Sequence, residues 1–125
     1  MSPNTVDPTG ADLKRFLEED DGNPIVMLNL LRFKADGGRE SYNKYAKAIV
    51  PFLEQVGGEV VYFGEGGTPL VGETWDAVLL VRYPSRRAFS EMVANPDYQQ
   101  ITHLRTEALD AAVLQPTTAP APTRG

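Results

Sequence analysis

The chain has 125 residues, 42% of them hydrophobic and 23% charged, and a formal net charge of −5. That length fits one domain with a real core, and the acidic balance speaks against a nucleic-acid or anionic-membrane surface, since either needs clustered lysine and arginine. Cysteine is absent, which excludes disulfides, thiolate metal sites and a cysteine nucleophile and suits a reducing cytoplasm. No stretch approaches the roughly 20 apolar residues of a membrane helix. The opening MSPNTVDPTGADL lacks the basic start and apolar run of a signal peptide. A soluble, cytoplasmic protein is expected.

Taken in chain order, residues 1 to 8 read as a flexible lead. TGADLKRFLEEDDGN predicts a short helix with Thr9 as N-cap, Asp12 three residues on, and Leu13, Phe16 and Leu17 on one face. PIVMLNLLRF, 24 to 33, is a bounded apolar run and predicts a strand. RESYNKYAKAIVPFLEQVGG carries Tyr42, Tyr45, Ala46, Ile49, Leu53 and Val56 at helical spacing, with Pro51 set to kink it. EVVYFGEGG is a second strand running into glycine-rich sequence, and ETWDAVLLVRYP, 73 to 84, is a third. Ser85 caps a helix over SRRAFSEMVAN, and Asn95 with Pro96 starts another over PDYQQITHLRTEAL. AAVLQ is a short last strand. Residues 117 to 125 belong to a Pro/Thr/Ala tail that cannot build a core.

After an N-terminal helix, this order is β-α-β-β-α-β, the ferredoxin-like α+β arrangement with helices on one face of an antiparallel sheet. Residues 9 to 116 form that single domain. Yet the strands are apolar on both sides. Ile25, Met27, Leu31 and Phe33 alternate with Val26, Leu28 and Leu30, and Trp75, Ala77, Leu79, Val81 and Tyr83 alternate with Val78 and Leu80. A sheet face left in water should be polar, and a large exposed apolar patch asks for a cover. A second copy of the same sheet is the simplest one, so a homodimer is expected.

Four stretches, PIVMLNLLRF, the tyrosine-bearing helix ending in GG, GETWDAVLLVRYPSRRAF and NPDYQQITHLRTEAL, together resemble the DUF1330 family of dimeric α/β-barrel proteins over about residues 24 to 116. Asn29, Glu73 with Trp75, Pro84 with Ser85, and Pro96, Tyr98, Gln99 and Arg105 carry the match. The resemblance implies monomers pairing face to face and a pocket between sheet and helices. It leaves activity open, because the wider superfamily includes cofactor-free monooxygenases, lactone isomerases, polyketide cyclases and haem enzymes, and a shared fold does not choose among chemistries.

Candidate site residues follow from where side chains point. On a helical wheel Tyr98, Ile101, Ala108 and Leu109 share an arc, and His103, the only histidine, lies opposite. It is therefore read as solvated, which removes a histidine-centred haem, metal or triad site. Arg105 sits inside the apolar arc. A buried guanidinium needs an anion, either a protein carboxylate such as Glu73 or a ligand. Asn29 is a neutral polar residue in a strand apolar on both faces, so it either stitches the sheet or donates to a substrate oxygen. Tyr42 and Tyr45 lie on the inner stripe of their helix, as amphipathic core residues or as pocket donors. GEGGTPLVGE lacks the lysine and following helix of a phosphate cradle. The arginines of SRRAF, at a helix N-terminus where positive charge is unfavourable, are expected at the surface.

The candidate catalytic residues are thus Asn29, Arg105 and Tyr45, with Tyr42, Glu73, Trp75 and Tyr98 as substrate-binding candidates. No cofactor or metal is expected. Three functions remain open: a cofactor-free isomerase, cyclase or monooxygenase acting on a small organic acid or phenol-like substrate, a non-catalytic binder of the same ligands, and a structural dimer. In the first, Asn29 and Arg105 would stabilise an oxyanion while a tyrosine or glutamate moves a proton.

Overall fold

The structure, a computed structural model, describes residues 6–119. Its elements are α1 (Gly10–Glu18), β1 (Ile25–Phe33), α2 (Gly38–Ala48), α3 (Val50–Val56), β2 (Glu59–Glu65), β3 (Ala77–Tyr83), α4 (Arg86–Ala94), α5 (Pro96–Gln99), α6 (Thr102–Thr106) and β4 (Leu109–Thr117). The four strands lie in the order β2-β3-β1-β4, each neighbouring pair antiparallel. The β1-to-β2 connection thus spans β3, and the β3-to-β4 connection spans β1. This is the ferredoxin-like topology that the element order implied.

Local chemistry explains the element ends. Thr9 Oγ1 accepts from the Asp12 N–H and Asp12 Oδ2 accepts from the Thr9 N–H, both at 3.0 Å, a complete capping box at the start of α1. Helix α1 stops earlier than its charge-rich continuation suggested. Asp20 and Asp21 instead accept from the Gly22 and Asn23 N–H groups, local turns that compete with helix. Ser85 Oγ caps α4 through the Ala88 N–H at 3.1 Å, and Asn95 Oδ1 caps α5 through the Asp97 N–H at 2.9 Å.

The expected long helices are broken. Pro51 does not kink a continuous helix: it falls in the first turn of α3, where a missing N–H costs nothing, and α2 ends at Ala48. The stretch from 96 to 109 divides at Gln100–Ile101 into two short helices, and Leu109 already belongs to β4. The third strand begins at Ala77 rather than at 73. Asp76 ends the run by turning back on β1, its carboxylate accepting from the Phe33 N–H and its own N–H donating to Leu31 O, both at 2.8 Å.

Of the lead expected over residues 1 to 8, Val6 is buried in the core and Asp7 is ion-paired. Of the tail expected from 117, Thr117 closes β4, its hydroxyl donating to Val26 O at 2.7 Å. Residues 1–5 and 120–125 lie outside the described residues.

The core lies between one sheet face and the helices. On β1, Ile25, Met27, Asn29 and Leu31 are buried and alternate with half-buried Val26, Leu28 and Leu30. Burying each large aliphatic side chain contributes about 1.5–3 kcal/mol, so this face anchors the fold. The opposite face carries Val26, Leu28, Leu30, Val78, Leu80 and Val113 side by side through the strand register, with Tyr62 55% exposed beside Leu80. Leu17, expected on the buried face of α1, is exposed. Arg86, expected at the surface, is buried: its guanidinium lies 5.5 Å over the Phe16 ring and 3.9 Å from Glu19 Oε1, fastening α1 to α4.

Candidate functional site

Tyr42 and Tyr45 stand three residues apart on α2 and so share its inner face. Both are buried, with ring centroids 5.5 Å apart. The Asn95 cap and Pro96 aim the single turn of α5 so that Tyr98 meets them. Its ring lies edge-on to Tyr45 at 6.4 Å and to Phe52 at 5.9 Å, and the Tyr45 and Tyr98 hydroxyls are hydrogen-bonded at 2.7 Å. Gly38 lets α2 start close under the end of α6, because a Cβ there would lie 2.6 Å from Ala108 O.

These tyrosines, with Asn29, Tyr83 and Arg105, line a cavity of about 470 Å³ between sheet and helices. The rest of its wall is mostly apolar, including Met27, Leu53, Phe63 and Leu79.

Arg105 is 6% exposed. Its Nη1 donates to Asp7 Oδ1 at 2.7 Å and to Val6 O, and Thr106 Oγ1 donates to the other carboxylate oxygen, Oδ2, at 2.6 Å. The second terminal nitrogen, Nη2, is buried and has no hydrogen-bond partner among the described residues. The anion that Arg105 requires is thus Asp7 and not Glu73, and one terminal nitrogen of the guanidinium is left over.

The phenols are held in their neutral form. Burial pushes Tyr42 up to about 12, with the Arg105 charge pulling weakly the other way. Burial likewise raises Tyr45, Tyr83 and Tyr98, again against Arg105. At neutral pH all four are proton donors, not bases. Among the described lining residues Asp7 is the only carboxylate.

Asn29 is 7% exposed and its Nδ2 donates to Met27 O and Leu79 O at 3.3 and 3.4 Å. It stitches β1 to β3, one of the two roles its position allowed, and its carbonyl oxygen remains to be offered. Glu73 and Trp75 do not reach the cavity. They flank Arg32, whose Nη2 is 3.1 Å from Glu73 Oε1 and whose guanidinium lies 4.7 Å over the Trp75 ring. His103 is exposed, as its place on the wheel implied. No group of three or more His, Cys, Asp or Glu that could hold a metal occurs among the described residues. No helix among them is long and apolar enough to cross a membrane.

Sequence reasoning missed Asp7 and Tyr83. Tyr83 could have been found, since it shares the strand face of Val81 and Leu79. Asp7 carries no local signal: it stands 98 residues from Arg105 and outside every periodic segment.

Fold and cavity define the class, a ferredoxin-like α+β domain whose helices close an aromatic cavity against one sheet face. The chain belongs to the family described as Domain of unknown function (DUF1330), whose model matches residues 37–115. A protein of unknown function from Rhodopseudomonas palustris is 32% identical over 96% of this chain and 100% of its own, with a TM-score of 0.87. A dimeric ferredoxin-like protein of unknown function from a Jannaschia species is 10% identical over 78% of this chain and all of its own, at 0.61. The hydroxynitrile lyase of Passiflora edulis is also 10% identical, over 82% and 99%, at 0.59. At such identity the likeness is one of fold alone. No curated protein matches the chain.

Proposed function

We propose that the protein binds a small, largely apolar organic acid or phenol-like molecule in this cavity, with a ligand oxygen on Arg105 Nη2. The observation that carries the reading is that buried, unpartnered nitrogen on a residue that lines a mostly apolar cavity. A buried polar group left unsatisfied costs about 1–3 kcal/mol, and interiors seldom leave one. A volume of about 470 Å³ falls in the range of roughly 300–1,000 Å³ for small-molecule sites.

In the catalytic form of this reading the protein is a cofactor-free isomerase, cyclase or monooxygenase of small-molecule metabolism. Arg105 steadies negative charge on the ligand oxygen while the Tyr45–Tyr98 pair supplies a proton. The described lining is rich in phenolic donors and, Asp7 aside, holds no carboxylate to act as a base, which favours proton donation over abstraction. A binder without turnover would use the same contacts.

The working unit in this reading is a homodimer. The uncovered sheet face is apolar, and a structural neighbour with this fold is described as dimeric.

Thermal unfolding of the parent and Arg105→Met with a panel of small carboxylates, phenols and aryl ketones tests the site. Compounds should raise the melting temperature of the parent and not of the variant. Equal shifts in both proteins would refute a site at Arg105.

A further inference from the structure

The Arg105 charge is already answered from within the chain. Asp7 Oδ1 lies 2.7 Å from Nη1, and Asp7 Oδ2 is held by Thr106 Oγ1 at 2.6 Å, so the carboxylate is fixed at both oxygens. Asp7 and Arg105 both line the cavity, and they are its only charged residues among those described. The pair is neutral as a unit. What Arg105 brings to the cavity wall is therefore a guanidinium whose Nη2 is still unpartnered and whose charge Asp7 already balances.

A ligand carboxylate on Nη2 would bring a second negative charge to a guanidinium that already holds one. It would do so against apolar walls and neutral phenols, where an unmatched charge is poorly tolerated. An uncharged oxygen accepts the same hydrogen bond without that penalty. Negative charge that develops on it during a reaction would still meet the guanidinium at close range, an interaction that strengthens as the reaction proceeds.

We propose that Asp7 is the specificity-determining residue of the site: by neutralising Arg105 it selects ligands whose oxygen is uncharged when bound, a phenol, ketone or aldehyde, over carboxylates. This rests on the cavity binding a small ligand at Arg105, as proposed above, and narrows the ligand class.

The probes are acetophenone, phenol and benzoate, titrated calorimetrically into the parent and Asp7→Asn at neutral pH. Asparagine keeps the size of the side chain and an oxygen for Arg105 Nη1, with its amide nitrogen able to donate to Thr106 Oγ1, while removing the charge. In the parent, acetophenone or phenol should bind more tightly than benzoate. In Asp7→Asn the benzoate-to-acetophenone affinity ratio should rise by at least about tenfold, since a like charge beside the ligand has been removed. Adding Arg105→Met to Asp7→Asn should abolish that rise.

A ratio unchanged by Asp7→Asn, or a parent that prefers benzoate, overturns the proposal while leaving the cavity reading intact. A parent and variant that bind none of the three probes overturn both. Asp7→Ser, read in the same way, serves if Asp7→Asn does not fold.

Discussion

The hydroxyl oxygens of Tyr45 and Tyr98 lie 2.7 Å apart, one buried phenol donating to the other across 53 residues of sequence. Both residues are buried, and each hydroxyl satisfies the other. Removing one hydroxyl strands its partner at about 1–3 kcal/mol, whereas removing both leaves an apolar contact. Tyr45→Phe and Tyr98→Phe should each lower stability by that order, and the double variant by less than the sum. Urea unfolding of the four proteins closes the cycle; strictly additive losses would mean that the hydroxyls do not depend on each other.

The same burial sets an alkaline limit. Tyr42 is raised from 10.0 to about 12, and Tyr45, Tyr83 and Tyr98 are also raised. Because the folded-state values exceed the unfolded ones, the unfolded chain loses its phenolic protons first. Stability is fully present below about pH 10 and falls as pH climbs through the folded-state values. Phenolate absorbance followed together with circular dichroism should show the buried tyrosines ionising as the fold is lost. Ionisation near pH 10 with the tertiary signal intact would contradict this.

Arg105 and His103 sit two residues apart yet should behave oppositely. Arg105→Met removes a charged hydrogen bond to Asp7 and should cost about 1.5–3 kcal/mol. This is less than the 3–5 kcal/mol or so of breaking a fully buried pair, because the Asp7 side chain is 29% exposed and keeps Thr106 as a donor. His103→Gln should stay within about 0.5 kcal/mol of the parent and leave ligand binding unchanged. Thermal or urea unfolding of both variants checks the contrast.

Much of this was readable from residue spacing. Element order alone implied the topology, and the wheel drawn through 98 to 109 placed Tyr98, Arg105 and His103 correctly even though the stretch breaks into two helices. It survived the break because the turn at Gln100–Ile101 stays near helical geometry. The partner of Arg105 was not readable. Periodicity reports which way a side chain faces, not which distant segment arrives there, and Asp7 comes from a stretch with no periodic pattern. Glu73 and Trp75 were misplaced for a related reason: the apolar alternation ran on past Asp76, whose turn back onto β1 is a long-range hydrogen bond. The amide of Asn29 was likewise taken up in part by Leu79 O, a carbonyl that only the β1–β3 register brings near.

The uncovered sheet face yields a prediction about assembly. Leu28 and Leu80 pair directly across β1 and β3 on that face. If two chains meet there, the parent should sediment as a dimer at micromolar concentration, and Leu28→Asp with Leu80→Asp should dissociate it while far-ultraviolet dichroism is kept. A well-folded monomeric parent would refute the pairing.

The most direct measurement is a crystal structure with acetophenone or phenol soaked into the cavity. The account places the ligand oxygen within about 3 Å of Arg105 Nη2, with Asp7 still on Nη1. A ligand bound elsewhere, or an Nη2 that donates to protein or solvent while the soaked cavity stays empty, would contradict it.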